Sequence, residues 1–447
     1  MDRRFKGEKM KVGFISLGCS KNLVDTEMLI GLLEKNELQI VNNPNEAEVI
    51  IINTCGFIES AKQEAIDTIF EMLEYKKKKC KYLIVMGCLV QRYKKELEKE
   101  LPEVDLFISI DEYEEIWKKI EALIGIRKST KFTEKLEYLQ RKITTGENFA
   151  YLKIGEGCSN KCTYCAIPYI RGPFISRKLE DILEEAEKLA KSGIKELIVI
   201  AQDTTKYGVD IYGKPMLAEL LKKLCQIKDI KWIRFLYSYP ESITDELIEV
   251  VKSNQKICKY FDIPIQHISD TVLKRMNRKS NGESIRNLIK KIRKEIPKAV
   301  IRTTLIVGFP GETIEDFEEL YQFVKEYKFD KLGCFAYSKE DGTPAARLKE
   351  QLHYKTKQAR LNKIMALQKQ ISKQALEKNI SKKLECLIES KTFDNKYYIG
   401  RTYMDVPDID GVVYIKNTRD LNIGEFIDIN IIRVSDYDLI GEITNEN

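Results

Sequence analysis

The sequence predicts an α/β protein: a parallel sheet covered by helices, then an open, incomplete β/α barrel, then a small all-β module. Three observations carry this. Four apolar runs in the first 110 residues, KVGFISLG, VIIINTC, YLIVMGC and LFISI, alternate with helical spacing, the pattern of buried parallel strands with helices on both faces. From Phe149 six more strand-and-helix units follow, AYLKIGEGC, ELIVIAQD, WIRFLYS, FDIPIQH, RTTLIVGF and KLGCFAYS, enough for a partial barrel. Past residue 379 the runs LECLIESK, YYIGRTY, GVVYIKN, EFIDINIIRVS and DLIGEIT are separated by turns alone, which reads as a small barrel or sandwich.

In chain order, the fold is expected to begin near Met10. The helix after the first strand is predicted over Lys21 to Lys35 by the spacing of Leu23, Met28, Leu29, Leu32 and Leu33. A second follows from Glu59 to Tyr75. A polar stretch then breaks the pattern, so the expected units are 10–126, a linker at 127–148, 149–379 and 380–447. A long amphipathic helix from about Lys355 to Lys378 closes the third.

Composition narrows the chemistry. The chain has 447 residues, 43% hydrophobic and 32% charged, ordinary for a globular protein of two to four domains. No run of eighteen apolar residues occurs, so no transmembrane helix and no membrane partner are expected. The apolar piece from Val12 to Leu17 is too short for an export signal, and a cytoplasmic protein is expected. In a reducing compartment the eleven cysteines point to metal or redox chemistry rather than disulfides. With only His267 and His353 present, a His-rich metal site is excluded.

The densest signal is GEGCSNKCTYC, which spaces Cys158, Cys162 and Cys165 as C-x3-C-x2-C on a loop after a strand. Three such thiolates can hold three irons of a 4Fe–4S cluster, leaving the fourth iron open; a partial zinc site is the competing reading. Cys19, Cys55 and Cys88 each end a predicted strand of the first sheet. The carboxyl ends of parallel strands share one edge, so the three are expected to converge as a second cluster site, against the alternative that each is a small buried hydrophobe. Cys80, Cys225, Cys258, Cys334 and Cys386 show no ligand spacing and read as packing residues.

The C-x3-C-x2-C motif, with Tyr164 before its last cysteine, resembles the radical S-adenosylmethionine superfamily. Together with the three strand-end cysteines and the β-rich tail, it resembles the methylthiotransferases over nearly the whole chain. The stretches carrying the likeness are ISLGCSKNLVD, YCAIPYIRG, QDTTKYG, FDIPIQH, VGFPGET, FAYSKEDGTPAA and GRTYMDVPDIDGVVYI. The resemblance implies a flavodoxin-like first domain, a radical SAM partial barrel and a C-terminal TRAM domain. It implies a radical 4Fe–4S cluster on Cys158, Cys162 and Cys165, and an auxiliary 4Fe–4S cluster on Cys19, Cys55 and Cys88 that carries the sulfur. S-adenosylmethionine would serve as both methyl donor and source of the 5′-deoxyadenosyl radical, chemistry that the cofactor supplies. The wording is most like the branch that modifies the β-carbon of an aspartate in protein twelve of the small ribosomal subunit. The implied partners are that basic protein, the ribosome that contains it, and an electron donor such as flavodoxin or ferredoxin.

Weaker features complete the expected site. Tyr164, Gln202, Arg302, Gly308 and Glu312 are candidate cofactor contacts. Gln202, its neighbour Asp203 and Arg302 read as strand-end polar groups. Gly308, Gly311 and Glu312 form a strand-to-helix turn where backbone can approach a ligand. His267 reads as a proton carrier or a structural histidine. Residues 380–447 hold eight Lys/Arg against thirteen Asp/Glu, a net −5 that leaves +11 on the rest of a +6 chain. An RNA-gripping module should be basic, so Asp405, Asp408 and Asp410 are expected to form an acidic patch for a basic protein substrate. Two alternatives stay open: a transfer RNA methylthiotransferase acting on a modified adenosine, and a non-catalytic RNA- or ribosome-binding protein with structural zinc.

Overall fold

The computed structural model describes residues 9–125, 135–146 and 148–444. Of the expected linker, residues 127–134 and 147 lie outside the described residues, as do residues 1–8 ahead of Met10.

Strands β1 (Lys11–Ser16), β2 (Gln39–Val41), β3 (Val49–Thr54), β4 (Tyr82–Gly87) and β5 (Leu106–Ile108) form one sheet in the order β2-β1-β3-β4-β5. Every pairing is parallel, so the unit is flavodoxin-like. The central strand VIIINT is buried at every residue, as a strand covered on both faces requires. The sequence had no signal for the edge strand β2, which is three residues long and half exposed. Helices α1 (Ser20–Lys35), α2 (Glu59–Leu73), α3 (Cys88–Glu100) and α4 (Ile116–Ile124) cover the sheet. Helix α1 is buried even at Lys21, Asn22, Asp25 and Glu27, because it is packed between the first sheet and the second unit.

The second unit starts with β6 (Phe149–Lys153) and a short hairpin, β7 (Gly155–Glu156) with β8 (Ile175–Ser176), which brackets the cysteine loop. Then come β9 (Glu196–Ile200), β10 (Trp232–Phe235), β11 (Tyr260–Asp262), β12 (Val300–Val307) and β13 (Lys331–Ala336). They form two parallel ladders, β6-β9-β10 and β11-β12-β13, joined by the single parallel bridge Ile233–Ile257. The result is the expected open barrel. Along β12 the half-buried Arg302, Thr304 and Ile306 alternate with buried neighbours, so the first set lines the lumen and the second faces the helices.

The helix Tyr354–Glu377 leads into a closed five-stranded barrel of β14 (Lys383–Lys391), β15 (Tyr397–Arg401), β16 (Val413–Lys416), β17 (Phe426–Val434) and β18 (Leu439–Ile443). This small barrel packs against the amino-terminal edge of the open one. Trp232 meets Phe426 edge-on at 4.8 Å, and Met404, Val406 and Leu421 share a core with Tyr151, Tyr260 and Val300. A buried ion triad crosses the joint: Glu196 accepts from Arg234 at 2.8 Å and from Arg401 at 2.7 Å. The opposite, carboxyl-terminal edge of both parallel sheets remains for the site. Among the described residues no helix is long and apolar enough to cross a membrane.

Candidate active site

The first cysteine trio is built by strand order. Strands β1, β3 and β4 are neighbours, and Cys19, Cys55 and Cys88 stand just past their carboxyl ends: Cys19 caps α1, Cys55 follows β3 and Cys88 opens α3. The approach is close enough that a Cβ on Gly18, whose φ is +88°, would lie 2.7 Å from Cys55 Cβ. Only glycine meets both demands there. Asn22 ties the edge together, donating to the carbonyls of Leu17 and Thr54 at 3.1 and 3.0 Å and accepting from Cys88 Sγ at 3.4 Å. Burial pushes the Cys88 thiol up to about 12. At Cys19 burial acts the same way, but Lys21 and Arg171 outweigh it and the thiol is lowered.

The second trio lies on the loop between β7 and β8. Gly157, at φ +71°, has the carbonyls of Arg171, Gly172 and Pro173 where a side chain would stand, and Cys158 N–H donates to Gly172 O at 3.0 Å. The loop's far side is fastened by Thr163, whose N–H donates to Met276 O and whose hydroxyl donates to Arg275 O. Arg278 places Nη1 3.8 Å from Cys162 Sγ and stacks on Tyr239 at 4.2 Å, while Tyr239 Oη is 3.5 Å from the same sulfur. Burial raises Cys158 to about 11 and raises Cys165 further. An electropositive neighbour at each trio is the setting in which thiolates form.

The two trios adjoin. Cys88 shares a small core with Ala166 and Ile170, the residues that follow Cys165. Helix α5 (Ile167–Arg171) ends in a buried arginine that spans the gap. Arg171 Nη2 donates to Asn22 Oδ1 at 2.5 Å and pairs with Asp25 at 2.9 Å, while Nη1 pairs with Glu156 at 2.8 Å. Lys153 closes the network against Asp25 and Glu156. Neither Arg171, Asn22, Asp25 nor Arg278 was singled out from the sequence. The first three stand inside the quoted stretches ISLGCSKNLVD and YCAIPYIRG, but only spatial contact gives them a role.

The remaining candidates divide. Tyr164 is half-buried against Val272, Met276, Phe309 and Tyr337. Gln202 lies at the carboxyl end of β9 beside Asp203, which accepts from Asn160 of the cysteine loop at 2.7 Å. Arg302 is not at the mouth: it is the third residue of β12, near the edge that the small barrel covers, and pairs with Asp262 at 2.8 Å. Glu312 is 3% exposed, and its carboxylate is taken by the N–H groups of Gly308 and Phe309 at 2.7 and 3.1 Å and by Arg360. It therefore locks its own turn. At Gly308 the space beside Cα is filled by Lys357. His267 is buried, accepts Ser269 N–H at 3.1 Å, and is pushed down to about 3 by burial, so it is a neutral structural histidine.

The acidic patch needs correction. Asp405 is 3% exposed and pairs with Lys331 at 2.6 Å, and Asp410 accepts from Tyr260 Oη at 2.7 Å. Both belong to the joint between the barrels, where an uncompensated carboxylate would be costly; Asp408 alone is exposed.

The donor sets fit iron–sulfur chemistry. Each is three thiols on glycine-shaped loops with a buried arginine alongside, and thiolates are the ligands of such clusters. Among the described residues no group of three or more His, Cys, Asp or Glu side chains stands ready to hold a metal ion. A cube that spreads three thiolates over three irons calls for a wider spacing than one shared ion.

Residues 152–324 match the model of the radical SAM superfamily, residues 11–109 that of "Uncharacterized protein family UPF0004", and residues 380–444 that of the TRAM domain. The chain is 68% identical over 438 residues to the ribosomal protein uS12 methylthiotransferase RimO of Alkaliphilus oremlandii, covering 98% of this chain and 100% of that protein. The chain belongs to the RimO family. The RimO protein of Clostridioides difficile is 52% identical over 443 residues, 98% of this chain and 99% of its own length. Among solved structures, the radical S-adenosylmethionine methyltransferase TsrM from Kitasatospora setae has a TM-score of 0.58 at 12% identity, covering 76% of this chain and 77% of that one, a likeness of fold alone. RimO membership makes the chain a radical SAM methylthiotransferase that uses S-adenosylmethionine and a 4Fe–4S cluster, which sets aside the non-catalytic zinc reading.

Proposed function

We propose that the chain methylthiolates the β-carbon of an aspartate in small-subunit ribosomal protein uS12. Cys158, Cys162 and Cys165 would hold the radical cluster, and Cys19, Cys55 and Cys88 an auxiliary 4Fe–4S cluster bearing the sulfur. When bound, the clusters would supply the electron and the sulfur, and S-adenosylmethionine the radical and the methyl group. The protein's part is to hold the two trios side by side, with Arg171 linking them and Arg278 and Tyr239 enclosing Cys162. The observation that carries the reading is this adjacency of two thiol trios in a chain alike over its full length to uS12 methylthiotransferases. The units 10–126, 149–379 and 380–447 would act as auxiliary-cluster, radical and TRAM domains. A flavodoxin or ferredoxin in the cytoplasm would supply electrons.

Anaerobic reconstitution tests the cofactor content: two clusters predict about eight irons per chain. Mass spectrometry then decides the substrate. Cells lacking the enzyme should lose the methylthio mass from uS12 and keep it on transfer RNA nucleosides; loss from RNA alone would establish the transfer RNA alternative instead.

A further inference from the structure

Lys21 is 4% exposed, yet among the described residues its ammonium meets no carboxylate. It sits on the ring of Tyr237, 3.4 Å from Nζ to the centroid, and its charge also acts on the Cys19 thiol two residues away. A buried cation is ordinarily paired; the ring face compensates only in part. Of the neighbouring buried cations, Lys153 pairs with Asp25, Arg171 with Asp25 and Glu156, and Arg141 with Glu27, while Arg278 is met by Cys162 Sγ, the Pro264 carbonyl and the Tyr239 ring.

Its position gives this charge a purpose. Lys21 follows Cys19 by two residues on α1. Tyr237 lies at the carboxyl end of β10, two residues before Tyr239, whose hydroxyl touches Cys162. The ammonium is therefore bracketed by the two cysteine trios. Tyr237 holds the left-handed conformation, φ +61°, uncommon for a residue with a side chain. It is kept there by its N–H on Asp262 Oδ2 at 2.9 Å and by its carbonyl, which accepts from Thr204 N–H at 3.1 Å. Strain held by surrounding bonds is a mark of a site that must present one side chain accurately.

The geometry points to Lys21, seated on Tyr237, as the cation that binds the carboxylate of the aspartate being modified. This rests on the proposed function. A carbon that must meet both the radical and the sulfur has to lie between the trios, and in an aspartate the carboxylate is one bond from that carbon. A buried ammonium there, with no carboxylate partner among the described residues, would fix the side chain and favour aspartate over asparagine. Lys21 belongs to the helix of the auxiliary trio rather than to the radical loop, which favours the substrate carboxylate over that of S-adenosylmethionine.

The test uses a uS12 peptide with its aspartate or asparagine, and the reconstituted wild-type and Lys21→Gln proteins. Binding by fluorescence anisotropy should be roughly ten- to a hundredfold tighter for the aspartate peptide on wild type. That preference should vanish in Lys21→Gln, with iron content and S-adenosylmethionine affinity unchanged. Lys21→Arg should restore part of it. Equal preference in both proteins overturns the assignment; so does a variant that loses iron, which makes Lys21 a cluster counter-charge, or one that loses S-adenosylmethionine affinity instead. Failure of wild type to bind or modify either peptide or intact uS12 would defeat the proposed function itself, a distinguishable result.

Discussion

Arg171 Nη2 lies 3.7 Å from Cys88 Sγ, although Arg171 ends the short helix that begins two residues after Cys165. One side chain thus ties the cysteine loop of the open barrel to the cysteine edge of the first sheet. Its charge is shared with Asp25 and Glu156, both also held by Lys153.

Replacing Arg171 by Met should therefore leave two carboxylates on a single ammonium. Breaking a buried pair destabilises by about 3–5 kcal/mol, and thermal unfolding of the cluster-free protein should show a clear drop in Tm. Arg171→Lys, which keeps the charge but not the fork of donors, should recover part of the loss. An unchanged Tm in Arg171→Met would mean that the network does not hold the two units together.

The joint between the barrels should be acid-sensitive. Burial pushes the Glu196 carboxyl up, but Arg401 and Arg234 outweigh it and hold it below its ordinary 4.5. A carboxylate depressed in the folded state contributes its full stability above the unfolded value and loses it as pH falls toward the folded one. The urea midpoint of the wild type should fall as the pH drops below that ordinary 4.5. Arg401→Met should begin lower and fall less, since the depression has then lost its first cause. Parallel curves would refute the role given to the triad.

Asp405 and Asp408 should behave differently despite lying three residues apart. Asp405→Ala strips Lys331 of its partner inside the joint and should cost about 1–3 kcal/mol. Asp408→Asn removes an exposed charge while tolerating the left-handed backbone at φ +62°, and should fall within about 0.5 kcal/mol of wild type. Chemical denaturation of the two variants measures both, and equal effects would contradict the burial of Asp405.

The same pair marks where the sequence stops being legible. All six strands of the open barrel and all five of the small one were readable, because apolar runs and turns are local signals. The placing of Cys19, Cys55 and Cys88 on one edge followed from parallel topology alone. Asp405 and Asp410, by contrast, look like surface acids until β13 supplies Lys331 and β11 supplies Tyr260. Glu312 and Arg302 likewise read as free polar groups in the sequence, since the partners that engage them, Arg360 and Asp262, are distant in sequence. Arg171 was invisible as a bridge because its function lies in contacts about 150 residues away. Local pattern is written in sequence; charge pairing across units is not.

Cys19→Ala is the sharpest test of the division of labour between the trios. Cys19 caps α1 at the edge of the first sheet, whereas the loop of Cys158, Cys162 and Cys165 is held by Gly172, Arg275, Met276, Arg278 and Tyr239. None of these contacts passes through Cys19, so the loop should keep its shape in the variant. Under the proposed function, Cys19→Ala should retain about four irons of about eight and still cleave S-adenosylmethionine. Transfer of the methylthio group to uS12 should be lost. Iron analysis, release of 5′-deoxyadenosine and the mass of uS12 read these three outcomes separately. Methylthiolation at the wild-type rate would show that the sulfur is not held at the Cys19 edge, whereas loss of cleavage as well would show that the radical site depends on it.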